Sequence, residues 1–140
     1  MEAEVKNTKV IKTGQFGELE VNTEHIFRFD NGILGFEDLR EFVLISDEDT
    51  APFKWLLSIE QPEIGFPLLS PWFIDLTYEP GRFFDVNKNV IFVVITLADA
   101  GGLMTANLKA PILLDVPEQV GQQVILPSDR YSPNYVIQKK

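Results

Sequence analysis

Three adjacent carboxylates, Asp47, Glu48 and Asp49, are the residues of this 140-residue chain that most resemble a reactive site. Carboxylate oxygens are the ligands that hard cations such as Ca²⁺ prefer, so the triplet could hold a metal ion. A calcium loop of the EF-hand type also needs glycine at its sixth position and a terminal bidentate glutamate, and a loop that begins at Asp47 has neither. The triplet therefore favours a solvated acidic loop over a metal site.

The other groups that could carry out catalysis do not form a recognisable set. His25 is the only histidine and the chain has no cysteine, so the usual two-histidine and thiolate metal sets are missing. No serine lies in a Gly-x-Ser-x-Gly context, and the glycines match neither a dinucleotide-binding nor a Walker pattern. We therefore predict a protein that is not an enzyme and needs no cofactor or metal.

Length and composition predict one folded domain over residues 1–140. The chain is 45% hydrophobic and 24% charged, which is typical of a globule with a buried core. Its longest apolar run is far below the ~20 residues that span a bilayer, and the first residues lack the apolar core of a signal peptide. We expect a cytoplasmic protein that does not contact the membrane.

The negative charge is concentrated in one part of the sequence. Between Glu18 and Glu63, twelve carboxylates face three basic side chains, and this excess equals the net charge of −9 of the whole chain. Such a region repels nucleic acid and speeds encounter with basic proteins. The region therefore indicates either a basic protein partner or a surface whose carboxylates only keep the domain soluble, and on both interpretations we expect no direct binding of nucleic acid.

Frequent glycine and proline divide the sequence into short elements, most of which have strand-like patterns. Asp30 to Gly32 should form a turn, 37–41 could close one helical turn, and Gly101-Gly102 should form another turn. The predicted strands are 16–21, 25–29, 42–45, 53–59, one short strand within the proline-rich segment 60–81, 89–97, 110–116 and 122–126. The predicted fold class is therefore all-β: a small antiparallel β-barrel or sandwich-like single domain with little helix. A small α+β arrangement through the proline-rich segment is the alternative.

The segment Thr105–Ile112 has the clearest alternation in the chain. Polar Thr105, Asn107 and Lys109 alternate with apolar residues, which predicts a strand with one polar and one buried face. Pro111 lacks a backbone donor and should interrupt that strand. A strand of this kind displays side chains and points to recognition, with Asn107 and Lys109 as the candidate contacts.

A second candidate contact lies in the acidic region. Phe36 follows a Gly-Ile-Leu-Gly turn and precedes Glu37 and Asp38, which places an apolar side chain next to two acids. Such a combination suits an interface that receives an apolar and a basic residue together. For Phe36 itself, packing on the core is favoured over contact with a partner, whereas Glu37 and Asp38 are more typical of partner contacts.

Four ordered motifs make the chain resemble the flagellar assembly factor FliW family. Thr-Ala-Asn-Leu-Lys-Ala-Pro-Ile at 105–112 resembles the signature of that family, and 29–36, 53–58 and 121–126 match in the same order. The family often has proline where Leu34 stands and glutamine where Leu57 stands. Both differences leave a plausible turn or strand.

The resemblance implies a non-enzymatic, β-barrel-like protein with two partners. One partner would be flagellin, which the protein would bind as a chaperone binds its client. The other would be CsrA, a basic RNA-binding repressor of flagellin synthesis, which would be bound and released by partner exchange. We expect CsrA at the acidic residues and flagellin at the proline-rich middle and the signature segment. The candidate contacts are Phe36, Glu37, Asp38, Asp47, Glu48 and Asp49 for CsrA, and Asn107 and Lys109 for flagellin. A dedicated flagellin chaperone without CsrA regulation, or an enzyme acting through the acidic loop, are the alternatives.

Overall fold

A computed structural model describes residues 8–14, 16–97 and 103–137 of the chain. The turn expected at Gly101-Gly102 lies outside these residues. The strands are β1 (Thr8–Thr13), β2 (Gly17–Asn22), β3 (Ile26–Arg28), β4 (Glu41–Ser46), β5 (Lys54–Ser58), β6 (Gly65–Leu69), β7 (Asn89–Thr96), β8 (Thr105–Ala106), β9 (Ile112–Asp115), β10 (Val120–Gln123) and β11 (Tyr135–Val136). Short 3-10 helices occupy Thr23–His25, Glu48–Thr50, Pro71–Phe73 and Gly81–Phe83. No helix in the described ranges is long and apolar enough to cross a membrane.

Seven strands close into a barrel in the order β3-β4-β5-β6-β7-β9-β10, which confirms the predicted fold class. Neighbouring strands are antiparallel except at the junction of β3 and β10, which are parallel and paired only through Arg28 and Val120. The long strand β7 also pairs with β8, which extends the sheet beyond the barrel to β11. The β3–β10 junction is therefore the most weakly paired part of the ring.

Apolar side chains fill the barrel and also cover two parts of its outer surface. Phe29, Phe42, Leu56 and Ile112 are among the fully buried residues of the interior cluster. The hairpin of β1 and β2 covers the outer face of β4 and β5, whereas the proline-rich segment and the signature segment pack on the outside of β7. Because the strands have apolar residues on both faces there, few of them alternate strictly between apolar and polar.

The signature segment differs from the predicted strand. Pairing as a strand stops at Ala106, although burial still alternates, with Ala106, Leu108 and Ala110 buried. The Asn107 side-chain oxygen accepts a hydrogen bond of 3.0 Å from the amide of Ala110. This bond closes a local turn and takes a donor that a strand ladder would use. The strand therefore ends several residues before Pro111, where the interruption was predicted, whereas the predicted buried face is confirmed.

Two smaller expectations also need correction. The segment 37–41 forms no helical turn. A tight turn closed by the hydrogen bond from the amide of Leu39 to the carbonyl of Phe36 is followed directly by β4, which begins at Glu41. The final barrel strand is β10 at Val120–Gln123, which begins two residues before the predicted strand 122–126 and ends three residues before it. The amides of Val124 and Leu126 still bond to the segment before β9, so the extended pairing continues past the end of β10.

Candidate functional site

The loop between β3 and β4, residues 29–40, carries three of the predicted contact residues and is made of successive tight turns. Gly32 has a φ of +65°, and its amide donates to the carbonyl of Phe29 at 3.0 Å. The amide of Phe36 then donates to the carbonyl of Ile33 at 2.6 Å, and Gly35 has a φ of +87°. A positive φ of this size suits the third residue of a type II turn, where glycine has no steric penalty.

Arg40 holds the two ends of this loop together. Its Nη1 donates to the carbonyl of Asp30 at 2.6 Å, and its Nε donates to the carbonyl of Glu37 at 3.0 Å. Its own amide donates to the Glu60 carboxylate at 2.9 Å. Desolvation by burial acts to raise the pKa of Glu60, but hydrogen bonds from the Arg40 and Glu41 amides outweigh it and lower that pKa. The loop is therefore a fixed structure at neutral pH.

The fixed loop presents an aromatic ring beside two acids. Phe36 is 36% exposed, and its inner side packs edge-on against Phe66 with ring centroids 5.1 Å apart. The Glu37 carboxylate accepts a hydrogen bond of 3.1 Å from the amide of Gly35 and is otherwise exposed. Asp38 is also exposed. Neither acid forms an ion pair with another described residue, so both are available to an external cation.

The acidic triplet lies at the other end of β4. Strand β4 has six residues, so about 17 Å separates its two ends. Asp47 caps the 3-10 helix Glu48–Thr50, where its carboxylate accepts from the amide of Asp49 at 3.2 Å. Among the described residues, no group of three or more acidic or histidine side chains is placed to hold a metal ion. The structure therefore separates the triplet from Glu37 and Asp38.

The two candidate contacts of the signature segment, Asn107 and Lys109, form hydrogen bonds within the chain. Asn107 closes the turn described above, and the Lys109 ammonium donates to the carbonyl of Ser128 at 2.7 Å. Both residues are half-buried. Their polar groups stabilise the loops on the outside of β7, so a partner would have to compete for these hydrogen bonds.

A cleft of about 240 Å³ opens between the 29–40 loop and strand β10. The amide of Leu34 donates to the side-chain oxygen of Gln123 at 2.9 Å and ties the loop to the strand. The cleft is lined by Asp30, Asn31, Gly32, Leu34, Glu37, Val120, Gly121, Gln122, Gln123 and Ile125. Apart from Glu37, these residues were not among the predicted contacts. These residues lie close together because β3 pairs with β10, and the two strands are about 90 residues apart in the sequence. Local sequence patterns do not reveal such a pairing.

The proline-rich middle contains two strongly exposed large apolar side chains, of which Leu76 is the most exposed one in the described ranges. Phe73 is 67% exposed and Leu76 is 87% exposed, whereas the neighbouring Trp72 points inward and donates from Nε1 to the carbonyl of Tyr78 at 3.0 Å. The Trp72 ring packs against Tyr78 and Phe84. A rigid aromatic base thus presents Phe73 and Leu76 to solvent, where we expected an apolar surface. Exposed apolar pairs of this kind are typical of protein-binding surfaces.

Comparison with known proteins agrees with the architecture. The family model described as "FliW protein" matches residues 9–137. The flagellar assembly factor FliW of Caldanaerobacter subterraneus subsp. tengcongensis is 38% identical over 131 residues, which cover 86% of this chain and 87% of that protein. The protein of the same name from Thermotoga petrophila is 34% identical over 94% of each chain. A crystal structure of the flagellar assembly factor FliW superposes with a TM-score of 0.81 at 34% identity, covering 94% of this chain and 98% of the other.

Proposed function

Because the chain belongs to the FliW family, we propose that this flagellar assembly factor works by binding two proteins in exchange and catalyses no reaction. One partner is flagellin, held as by a chaperone. The other is the basic RNA-binding repressor CsrA, whose capture relieves repression of flagellin synthesis. Such exchange can arise from competition for one overlapping surface or from coupling between two separate surfaces.

The observation that supports the CsrA contact best is the rigid turn that carries Phe36, Glu37 and Asp38. Its hydrogen bonds to Arg40 fix the backbone before any partner arrives, so little entropy is lost on binding. The half-exposed ring offers apolar contact, and the two acids without ion pairs attract a basic surface. The acidic triplet offers charge as well, but the exposed apolar residues beside it, Ala51 and Pro52, have no aromatic ring, and Phe53 is less exposed than Phe36.

Charge reversal at the two ends of β4 tests this assignment. We expect Glu37→Lys with Asp38→Lys to weaken CsrA binding about tenfold or more, because two attractive contacts become repulsive. The matched control is Glu48→Lys with Asp49→Lys, which makes the same change in net charge beyond the other end of β4. Isothermal titration calorimetry at low and high salt measures both. Equal affinities for the two double variants would contradict the assignment to the Phe36 turn.

We place flagellin on the exposed pair Phe73 and Leu76, since a chaperone must cover apolar surface that its client buries later in assembly. Phe73→Ser with Leu76→Ser should reduce flagellin binding and leave CsrA binding unchanged. Val116→Ser is a suitable control because this valine is also exposed and apolar. Wild-type affinity for flagellin in the double variant would contradict this placement.

Partner exchange itself is measured by adding flagellin to a preformed complex with CsrA. Release of CsrA in proportion to the flagellin added is the expected result. A protein that binds flagellin but never retains CsrA would instead be a dedicated flagellin chaperone, which the same titration identifies.

A further inference from the structure

The junction between β3 and β10 leaves part of a strand edge without a neighbour. The two strands share one residue pair, Arg28 with Val120, and the amide of Arg28 donates to the carbonyl of Gln119 at 3.0 Å. After Phe29 the chain turns away through the 29–40 loop. Strand β10 continues past the junction, and the cleft opens where β3 would have continued.

The direction of the backbone groups follows from the pairing of β10 with β9. The amides of Val124 and Leu126 donate to carbonyls on the β9 side, at 3.1 and 2.8 Å. Backbone groups alternate in direction along an extended strand, so those of Gln123 and Ile125 point to the opposite side, into the cleft. In the described part of the chain no other strand pairs with them. The backbone groups of Gln123 and Ile125 at this edge can therefore still form hydrogen bonds with an added strand.

The side chains around this edge combine apolar and acidic character. Leu34 is 55% exposed and Ile125 is 60% exposed on the two sides of the cleft. Asp30 and Glu37 also line it, and no lysine or arginine does. Asp30 already pairs with Arg28 at 2.9 Å, which leaves Glu37 as the carboxylate open to a new cation.

We propose that residues 121–125 bind an extended segment of a partner protein by β-strand addition. The segment places an aliphatic side chain between Leu34 and Ile125 and a lysine or arginine at Glu37. Main-chain hydrogen bonds to Gln123 and Ile125 provide affinity, and the alternating side chains provide specificity. The inference rests on the proposed function for its basic partner. A second copy of this chain is disfavoured, because two molecules of net charge −9 would bring like charges together.

A synthetic peptide tests the strand addition without any change to the protein. The probe is an acetylated, amidated hexapeptide that alternates lysine with valine, and its control is the same peptide with alternate backbone nitrogens methylated. Methylation keeps the charge and removes the donors, so we expect binding to weaken about tenfold or more by fluorescence polarisation. Amide chemical-shift changes should concentrate at 121–125. Equal binding of both peptides would overturn the proposal.

Two protein variants test the same site from the other side. Ile125→Pro removes a donor that faces the cleft and leaves the amides of Val124 and Leu126 to pair with the β9 side, whereas Ile125→Ala keeps the donor. The proline variant should therefore bind the unmethylated peptide more weakly than the alanine variant, because both lose the isoleucine side chain and only the proline variant also loses the donor. Glu37→Gln should weaken binding several-fold, with Glu24→Gln as the matched exposed control. Unchanged peptide binding in both Ile125→Pro and Glu37→Gln would place the peptide elsewhere and overturn the proposal.

The strand-addition proposal and the proposed function can be refuted separately. If CsrA binds the wild-type protein but is insensitive to Ile125→Pro, the strand addition is wrong and the proposed function stands. If CsrA does not bind at all, the proposed function is wrong, and the peptide measurements still decide whether the edge accepts a basic segment.

Discussion

Replacing Gly32 by alanine should disrupt the 29–40 loop more than any other single-methyl change in it. A Cβ on Gly32 would lie 2.6 Å from the Cα of Glu37 and 2.8 Å from the carbonyl oxygens of Phe36 and Glu37. All three are backbone atoms and cannot rotate away. The backbone at 36–37, which carries the proposed contact, must therefore move.

Gly35 is a control within the same loop. Its φ of +87° is also positive, but a Cβ there would meet no atom within 4 Å. A left-handed alanine costs about 1–2 kcal/mol, and about 0.4–1 kcal/mol is regained from the unfolded chain. We therefore expect Gly35→Ala to lower the free energy of unfolding by about 1 kcal/mol. For Gly32→Ala the close contact adds about 1–3 kcal/mol.

Urea denaturation measures the difference, and calorimetry with CsrA measures its functional consequence. Gly32→Ala should be less stable than Gly35→Ala and should bind CsrA more weakly, because Phe36 and Glu37 are displaced. Gly14→Ala, which has open space and no positive φ, should be close to neutral. Equal destabilisation by Gly32→Ala and Gly35→Ala would refute the reasoning, since it would mean that the close contact does not matter.

Three further changes test the packing around the two proposed surfaces. Gly121→Ala would place a Cβ 2.3 Å from the buried ring of Phe29, so thermal unfolding should show a loss of about 1–3 kcal/mol. Tyr78→Phe leaves the buried carbonyl of Leu108 without its 2.8 Å hydrogen bond, at a cost of about 1–3 kcal/mol by urea denaturation. Burial raises the pKa of Tyr78, so the native state favours the neutral phenol. The free energy of unfolding should therefore fall as pH rises above about 10, where the unfolded chain loses this proton. Tyr78→Phe should have a flatter alkaline profile. Asn107→Ala should lower the melting temperature without a selective loss of flagellin binding, and a selective loss would contradict the structural role of this side chain.

The sequence predicted the fold class well because strand patterns are local. The strands around Phe27, Phe42 and Leu56 are short apolar segments between turns, and their inward faces follow from a period of two. The parallel junction of β3 with β10 was not predicted. It depends on residues far apart in the chain, and nothing in either segment specifies the other as its neighbour.

The candidate site was predicted only in part, because the sequence does not show how a strand separates residues that are close in the chain. Charge counted along the sequence groups Glu37 with Asp47, yet the six residues of β4 place them at opposite ends of one strand. The alternation at 105–110 gave the correct burial but the wrong pairing. An extended chain keeps a period of two even when a side chain such as Asn107 takes over one of the backbone hydrogen bonds.

The signature segment lies between the two proposed surfaces and bonds to the structures behind both. On one side, the hydroxyl of Tyr78, from the proline-rich middle, donates to the carbonyl of Leu108 at 2.8 Å. On the other side, the carbonyl of Ala110 accepts from the Gln123 carboxamide at 3.1 Å, and the oxygen of that carboxamide accepts from Leu34 at 2.9 Å. The segment is therefore a physical link between the two proposed surfaces.

This link gives a way to separate two mechanisms of partner exchange. If flagellin and CsrA compete for overlapping surface, Gln123→Ala should leave the effect of flagellin on CsrA affinity unchanged. If the surfaces are distinct and coupled through the signature segment, the variant should reduce that effect, because coupling requires an element that both sites influence. Titration of CsrA at several fixed flagellin concentrations measures the coupling directly. Phe73 and Phe36 belong to different loops, and these loops are linked through Leu108 and Ala110. We therefore expect Gln123→Ala to reduce the effect of flagellin on CsrA affinity.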